Sequence, residues 1–444
     1  MKRTTLLILF LAQIIFLCAQ TAREDIKANI YRSASNHFAY PGPSKVLTAA
    51  PEGKTPFYIT HYGRHGSRYL CGKNEYNSPL GVLQKADKYG KLTDLGKDVL
   101  RRVKTMADEA DKRAGELTLL GAEQHRAIAK RMYERFPQVF EGEANIDAKS
   151  TVVIRCILSM ENALQQFASM NPKLKIRHDA SEHDMCYMNF GGDWIEKCRV
   201  TKETSEKLNA WTKAHISSKR LMAAMFNDEK YVADSIHADW FYSDLFKVAS
   251  INQNQETRNQ FDLYDIFTAD EIYNLWEKDN IRWYLGYGGN PMNNNLPPYI
   301  QRNLLRKIIS EADSCILLEK PGATLRYGHE TMVLPLSFLM ELNGTGKQIT
   351  DIEKITENWK NYNFFPMAAN IQMIFYRQDI TDKDILVKVL LNEDEATLPI
   401  KTDCPPYYHW TDVRSYYLSK LDTFDATSEA LKSEAAKKEW SRFW

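Results

Sequence analysis

Thr60-His61-Tyr62-Gly63-Arg64-His65-Gly66-Ser67-Arg68-Tyr69 places one histidine between two arginines at a turn. The residues just before, Pro56-Phe57-Tyr58-Ile59-Thr60, are rich in β-branched and aromatic types. They predict a buried strand with the Arg-His-Gly-Ser-Arg run at its end. In an open α/β sheet, ligands bind beyond the carboxyl ends of the strands. Gly63 and Gly66 permit positive φ or a close approach of the backbone to a bound group. Arg64 and Arg68 offer forked donors that match the oxygens of a phosphoryl group. A neutral His65 between them could attack phosphorus, because the guanidiniums cancel the negative charge that repels a nucleophile. The competing explanation is a basic turn around one hydrogen-bonded histidine, so the rest of the chain has to decide.

Four further segments bear on that choice. Lys91-Leu92-Thr93-Asp94-Leu95-Gly96-Lys97 leads into a helical run through Ala110, and Gly115 to His125 repeats the pattern. In the repeat, Thr118 suits an N-cap, apolar residues recur at Ile128, Met132 and Phe136, and Pro137 ends the helix. On residue type alone this is a capped amphipathic helix with His125 on its surface. Ser150-Thr151-Val152-Val153-Ile154-Arg155-Cys156 is a β-branched run ending in an arginine. A strand that delivers Arg155 at its end could add a third guanidinium to the first two; an ordinary core salt bridge is the alternative. Gly322 to Thr331 alternates like a strand until Gly328 breaks it, leaving His329-Glu330 before the apolar Met332 to Met340.

Between these blocks, residues 171–300 change character. Thr201 to Met225 and Thr268 to Tyr284 read as helices, and Gly286-Tyr287-Gly288-Gly289-Asn290-Pro291 with Asn293-Asn294-Asn295 reads as a loop. This is a largely helical insertion. A helical run from Ile300 to Ser314 and strand-like segments at Ile371 to Tyr376 and from Ile385 follow it.

The chain has 444 residues and a formal net charge of +1, which argues against a nucleic-acid protein held by overall charge. Any polyanion site must be local. Met1-Lys2-Arg3 followed by the apolar run Leu6 to Cys18 has the form of a secretory signal, too short for a membrane span. Cleavage near Ala19-Gln20 makes residues 1–19 a signal peptide and the mature protein periplasmic or secreted. Leu17 before Cys18 is larger than the residue a lipidation site usually carries, which disfavours a lipid anchor. Cys71, Cys156, Cys186, Cys198, Cys315 and Cys404 then form an even set in an exported chain, so disulfides are expected, with Cys186 and Cys198 nearest in sequence. No CxxC pair or His/Cys cluster suggests a metal, and no cofactor is expected.

Arg64-His65-Gly66-Ser67-Arg68 resembles the RHGxR signature of the histidine acid phosphatases, which include phytases. Gly115 to Gln124 is similar to that family's GxLTxxGxxQ segment, Arg155 through Glu161 to its third-arginine segment, and His329-Glu330 to its HD-type second signature. The last match departs from the pattern, with glutamate where many members carry aspartate. Multiple inositol polyphosphate phosphatases also use a glutamate, but with an alanine between it and the histidine. Pro366-Met367-Ala368-Ala369-Asn370 and Leu390-Leu391-Asn392-Glu393 lean toward that branch.

The resemblance implies an α/β core, residues 20–170 and 301–444, with a central mixed sheet flanked by helices. Residues 171–300 become a mainly helical inserted cap domain that walls the cleft. It implies His65 as nucleophile, Glu330 as proton donor, and Arg64, Arg68, Arg155 and His329 as phosphate-binding residues. The expected activity is hydrolysis of phosphate monoesters through a phosphohistidine, and the expected partner is a phosphorylated small molecule, an inositol polyphosphate above all. A glucose-1-phosphatase-like or broad-specificity acid phosphatase stays open as an alternative. So do a mutase-like phosphotransferase and a non-catalytic phospholigand-binding protein. A substrate with many phosphates would need further cations, for which Lys73, Lys85, Lys88, Arg302 and Arg326 are candidates by nearness in sequence.

Overall fold

The computed structural model describes residues 21–72, 74–189 and 194–437. The expected first strand is β1 (Thr55–Arg64), buried from Pro56 onward. Its side chains alternate between two cores: Tyr58 and Tyr62 enter one, Ile59 the other. A strand covered on both faces reads as a nearly unbroken apolar run, which is why the segment before the basic turn carries so little polarity.

Around β1 lie β2 (Asn145–Ser150), β3 (Lys175–Asp179), β4 (Gly322–Gly328), β5 (Asn370–Arg377), β6 (Leu386–Leu391), β7 (Asp394–Glu395) and β8 (Tyr407–His409). They form one mixed sheet in the order β3-β2-β4-β1-β5-β6-β7, with β8 pairing on β6. β1, β2, β3 and β4 pair in parallel, and β5 turns the sheet antiparallel. The register sets Arg64 opposite Gly328 and Ser150 opposite Tyr327. Three strands therefore release their chains at one level of the sheet's carboxyl edge, which brings the basic turn, the segment after Ser150 and His329-Glu330 together.

Helices Arg302–Ile316, Glu330–Leu339 and Trp410–Ala435 cover one face through residues such as Leu305, Leu336 and Tyr417. Helices Leu119–Arg135 and Ile154–Met170 cover the other, setting Met132 and Phe167 against Ile59, Ile146 and Leu325. With both faces occupied, the remaining amphipathic helices bury their apolar sides on one another. Asn77–Lys88 and Asp94–Glu109 pack with Lys219–Met225, Ala238–Asn252 and the first turns of Ala269–Tyr287 around Leu83, Val103, Leu245 and Trp276. This helical body draws on two separated stretches of chain, while β3, within residues 171–300, pairs in the sheet.

Local signals explain several boundaries. Thr118 caps its helix by accepting the Gly121 N–H at 3.3 Å, as its position predicts. Thr268 and Glu271 close a capping box on helix Ala269–Tyr287. The single helix expected from Thr201 to Met225 is two, Lys202–His215 and Lys219–Met225, because Ile216 is extended. Arg155 does not end a strand: β2 stops at Ser150, and Arg155 lies in the first turn of helix Ile154–Met170. The β-branched run after Ser150 crosses from sheet to helix instead of pairing.

The expected disulfides are not formed among the described residues. Cys71, Cys156, Cys186, Cys315 and Cys404 are thiols, so no disulfide joins Cys186 to Cys198. Their places explain it: Cys156 is buried behind His329, Cys315 lies near Tyr58, and Cys404 is on the loop before β8. No helix among the described residues is long and apolar enough to cross a membrane. The signal peptide and Cys18 lie outside the described residues.

Candidate active site

Backbone contacts hold the turn after β1. The Arg64 N–H donates to the Ala369 carbonyl at 2.7 Å and the His65 N–H to that of Gly328 at 2.9 Å, while the Ala368 N–H returns a bond to His65. Past the histidine, the Gly66 N–H donates to Ser159 Oγ at 3.1 Å and the Ser67 N–H to Gln124 Oε1 at 2.8 Å. Thr118 closes the loop, its N–H donating to the Ser67 carbonyl at 2.9 Å. Helix Leu119–Arg135 thus meets the turn backbone to backbone, and two glycines make that possible. A Cβ on Gly66 would lie 2.4 Å from the Gly121 carbonyl oxygen, and one on Gly121 would lie 2.2 Å from that of Ser67. The paired glycine signatures in the sequence are the two sides of this one contact.

The side chains the turn delivers are buried. Arg64 and His65 have no exposed surface, Arg68 is 6% exposed and His329 9%. Arg64 Nη1 donates to the Phe365 carbonyl at 2.7 Å, and its Nε lies 3.1 Å from Glu330 Oε2. Arg68 Nη1 donates to the Tyr69 carbonyl at 3.0 Å. Beyond the Arg64–Glu330 ion pair, buried donor atoms remain without a hydrogen-bond partner on all three arginines, Nη2 of Arg64 and Nε of Arg68 and Arg155. Buried donors are rarely left unmet, and this set matches an anion with several oxygens.

The tautomer of His65 follows from its neighbour. Nδ1 lies 2.9 Å from the Gly66 carbonyl, which can only accept, so Nδ1 carries the proton. Nε2 is then the lone pair, 3.5 Å from Glu330 Oε2 and without a hydrogen bond. Burial, with the charges of Arg64 and Arg155, holds His65 well below the ordinary imidazole range, against the pull of Glu330. His329 stands edge-on to it, ring centres 5.7 Å apart, with Thr151 Oγ1 3.3 Å from its Nε2. Burial lowers His329 to about 4, and the three arginines add to the shift. Burial pushes Glu330 up, but the guanidiniums of Arg64 foremost and of Arg68 hold it well below the usual carboxylate range. Burial likewise brings Arg64 down to about 10.

The donor atoms of His65, His329 and Glu330 lie within 4.8 Å of one another, close enough to coordinate a cation. The three guanidiniums around them oppose that and favour an anion. A neutral imidazole lone pair, unmet cationic donors and a carboxylate in one pocket can support transfer of a phosphoryl group to nitrogen.

The pocket gathers Arg64, His65, Arg68, Arg155, His329 and Glu330, but not the extra cations. Arg326 is buried beneath the sheet, paired with Glu311 at 2.8 Å and Asp147 at 3.4 Å. Arg302 lies over Phe424 near Asp425, against the last helix. Lys85 and Lys88 are exposed on helix Asn77–Lys88, and Lys73 lies outside the described residues. His37 went unnoticed in the sequence. It is buried on a short turn of the N-terminal segment, with Arg68, Arg64, Lys247 and Glu330 acting on it electrostatically. A lone histidine in a loop without periodicity carries no signal, and neither does Thr151; Gln124 and Ser159 lie in the segments singled out above, but their contacts with the turn arise across the fold.

These features define an α/β enzyme with a pocket suited to phosphate esters at the carboxyl edge of its sheet. The family description "histidine phosphatase superfamily (branch 2)" matches residues 63–392, and the chain belongs to that family as a phosphatase. No curated protein sequence gives a significant match. Among solved structures, the multiple inositol polyphosphate phosphatase of Bifidobacterium longum, in complex with inositol hexasulfate, is similar at 17% identity. It covers 88% of this chain and 98% of its own, with a TM-score of 0.72. The phytase from D. castellii is 16% identical over 89% of this chain and 86% of its own, with a TM-score of 0.61. The Hafnia alvei phytase in complex with myo-inositol hexakis sulphate is 12% identical over 83% and 98%, with a TM-score of 0.52. At such identities the likeness is one of fold.

Proposed function

We propose that this phosphatase is exported, works through a phosphohistidine at His65 and acts on inositol polyphosphates such as phytate. The observation that carries the reaction is the His65 tautomer: with Nδ1 protonated by its bond to Gly66, the Nε2 lone pair faces the pocket of unmet arginine donors. Nε2 attacks phosphorus while Arg64, Arg68, Arg155 and His329 hold the transferring oxygens. The ester P–O bond breaks, and Glu330 gives its proton to the leaving alkoxide. The Glu330 carboxylate then takes a proton from water, whose oxygen displaces the imidazole and releases phosphate.

Glu330 has to be protonated when the alcohol leaves, although the unliganded pocket holds it ionised through Arg64. An entering phosphoryl group engages Arg64 and adds negative charge beside the carboxylate. Both effects raise its proton affinity, so activity belongs on the acid side of neutrality. The substrate reading is supported by the inositol hexasulfate and hexakis sulphate bound by two structural neighbours. It is also supported by a near-neutral chain in which Arg64, Arg68 and Arg155 all bring unpartnered buried donor atoms to one pocket.

The test compares kcat/KM for phytate and for glucose 1-phosphate at acid pH and rising ionic strength. Phytate should be preferred at low salt, with the margin narrowing as salt screens its extra charges. Preference for the sugar phosphate under every condition would overturn the substrate assignment. The chemistry is tested separately by His65→Ala, which should remove turnover from a folded protein; substantial residual activity would dismiss the phosphohistidine.

A further inference from the structure

Four amides follow one another where helix Ala238–Asn252 ends: Asn252, Gln253, Asn254 and Gln255, all buried. Three of them brace the helical body and the N-terminal segment. Asn252 donates to the Phe261 carbonyl at 2.7 Å, Gln253 accepts from the Ala39 N–H at 3.0 Å, and Gln255 accepts from the Tyr76 hydroxyl at 2.8 Å. Asn254 reaches the catalytic turn instead. Its Nδ2 donates to the His37 carbonyl at 2.7 Å, and its Oδ1 lies 2.6 Å from Ser67 Oγ. A carbonyl can only accept, so the amide's NH2 group faces His37 and its oxygen must accept the Ser67 O–H. Neither Asn254 nor Ser67 has any exposed surface.

Ser67 stands between His65 and Arg68. Its peptide is gripped from the sheet side by Gln124 and Thr118, and its hydroxyl from the helical body by Asn254. We infer that Asn254 is a positioning residue for phosphoryl transfer, latching the Ser67 hydroxyl so that the turn's geometry depends on the helical body being seated. In-line attack tolerates little displacement of the nucleophile, whereas ion pairing to phosphate tolerates more. Loss of the latch should therefore lower kcat far more than it weakens phosphate binding. The inference rests on His65 acting as nucleophile in the proposed mechanism.

The experiment uses the full mature enzyme with an aryl phosphate substrate and inorganic phosphate as competitive inhibitor. Ser67→Ala and Asn254→Ala should each lower kcat about tenfold while the inhibition constant for phosphate moves by less than about threefold. Because both remove the same bond, the double variant should be no slower than the slower single one. Asn254→Ala also strands the His37 carbonyl; should it fail to fold, Ser67→Ala, which deletes one oxygen, decides alone. A Ser67→Ala kcat within twofold of the parent would overturn the latch, and so would losses that multiply in the double variant. His65→Ala in the same assay keeps the readings apart: activity there sinks the mechanism, whereas a dead His65→Ala beside an unaffected Ser67→Ala sinks only the latch.

Discussion

Glu330→Gln removes the pocket's carboxylate while keeping a carbonyl oxygen near Arg64, and three measurements should respond differently. Turnover depends on the leaving group. An alkyl phosphate needs a proton at its departing oxygen, and general acid catalysis contributes about 10²- to 10⁴-fold, so the variant should lose that much on glycerol phosphate. A nitrophenyl leaving group scarcely needs the proton, so its loss should stay near tenfold. Phosphate binding should move the opposite way. The carboxylate 3.1 Å from Arg64 Nε repels an incoming anion and competes for its partner. Two like charges about 4 Å apart at an effective dielectric of 20 repel by about 4 kcal/mol, and even a third of that tightens phosphate inhibition about tenfold. Stability should fall by about 1–2 kcal/mol, because the buried guanidinium keeps a neutral acceptor in place of a charged one. The pH dependence follows from the depressed Glu330 pKa. Its ion pair stabilises the fold above the ordinary carboxylate range, and that contribution is lost as pH falls through the folded value. Glutamine does not titrate, so the Tm gap between parent and variant should close on acidification below about pH 4. Steady-state kinetics on both esters, phosphate inhibition and thermal melts at several pH values make the assay. Equal fractional losses on the two esters would refute Glu330 as proton donor, and weaker phosphate inhibition would refute the electrostatic argument.

Arg326→Met should cost about 1–2 kcal/mol in urea unfolding, because Glu311 keeps Lys307 and Asp147 keeps Arg177 as partners, yet leave KM for phosphate esters unchanged. A KM shift beyond twofold would return Arg326 to the substrate site. Gly121→Ala forces a methyl to within 2.2 Å of the Ser67 carbonyl, so kcat should drop at least tenfold even where the variant stays folded; full activity would mean that the two backbones need not touch. Burial lowers His61 and His125 to about 3 and His329 to about 4. The unfolded chain binds protons at these sites near pH 6.5 and the folded one does not. Stability should therefore fall from pH 7 toward pH 4, by up to about 1.4 kcal/mol per pH unit for each histidine. A Tm unchanged between pH 7 and pH 5 would contradict their burial as neutral rings.

The basic turn was legible because strand, glycine and arginine signals fall within ten residues, where local sterics and hydrophobic pattern act without help from the rest of the chain. His329-Glu330 was legible for the same reason, as a strand broken by Gly328. Arg155 was found, but on the wrong element: β-branched residues after Ser150 favour a strand, and only the sheet's register shows that β2 has already ended. The expected disulfides are not formed among the described residues, because an even count of cysteines says nothing about which thiols meet. The sequence by itself thus determined the alternation of strands and helices, the turn's chemistry and the family. Tertiary structure decided what depends on partners far apart in the chain: the His65 tautomer with its Nε2 turned to Glu330, the burial of Arg326 beneath the sheet, and the Asn254 contact 187 residues from Ser67. Hydrogen bonds and burial belong to pairs of positions, and no pattern along one segment records which distant residue will fill the other place.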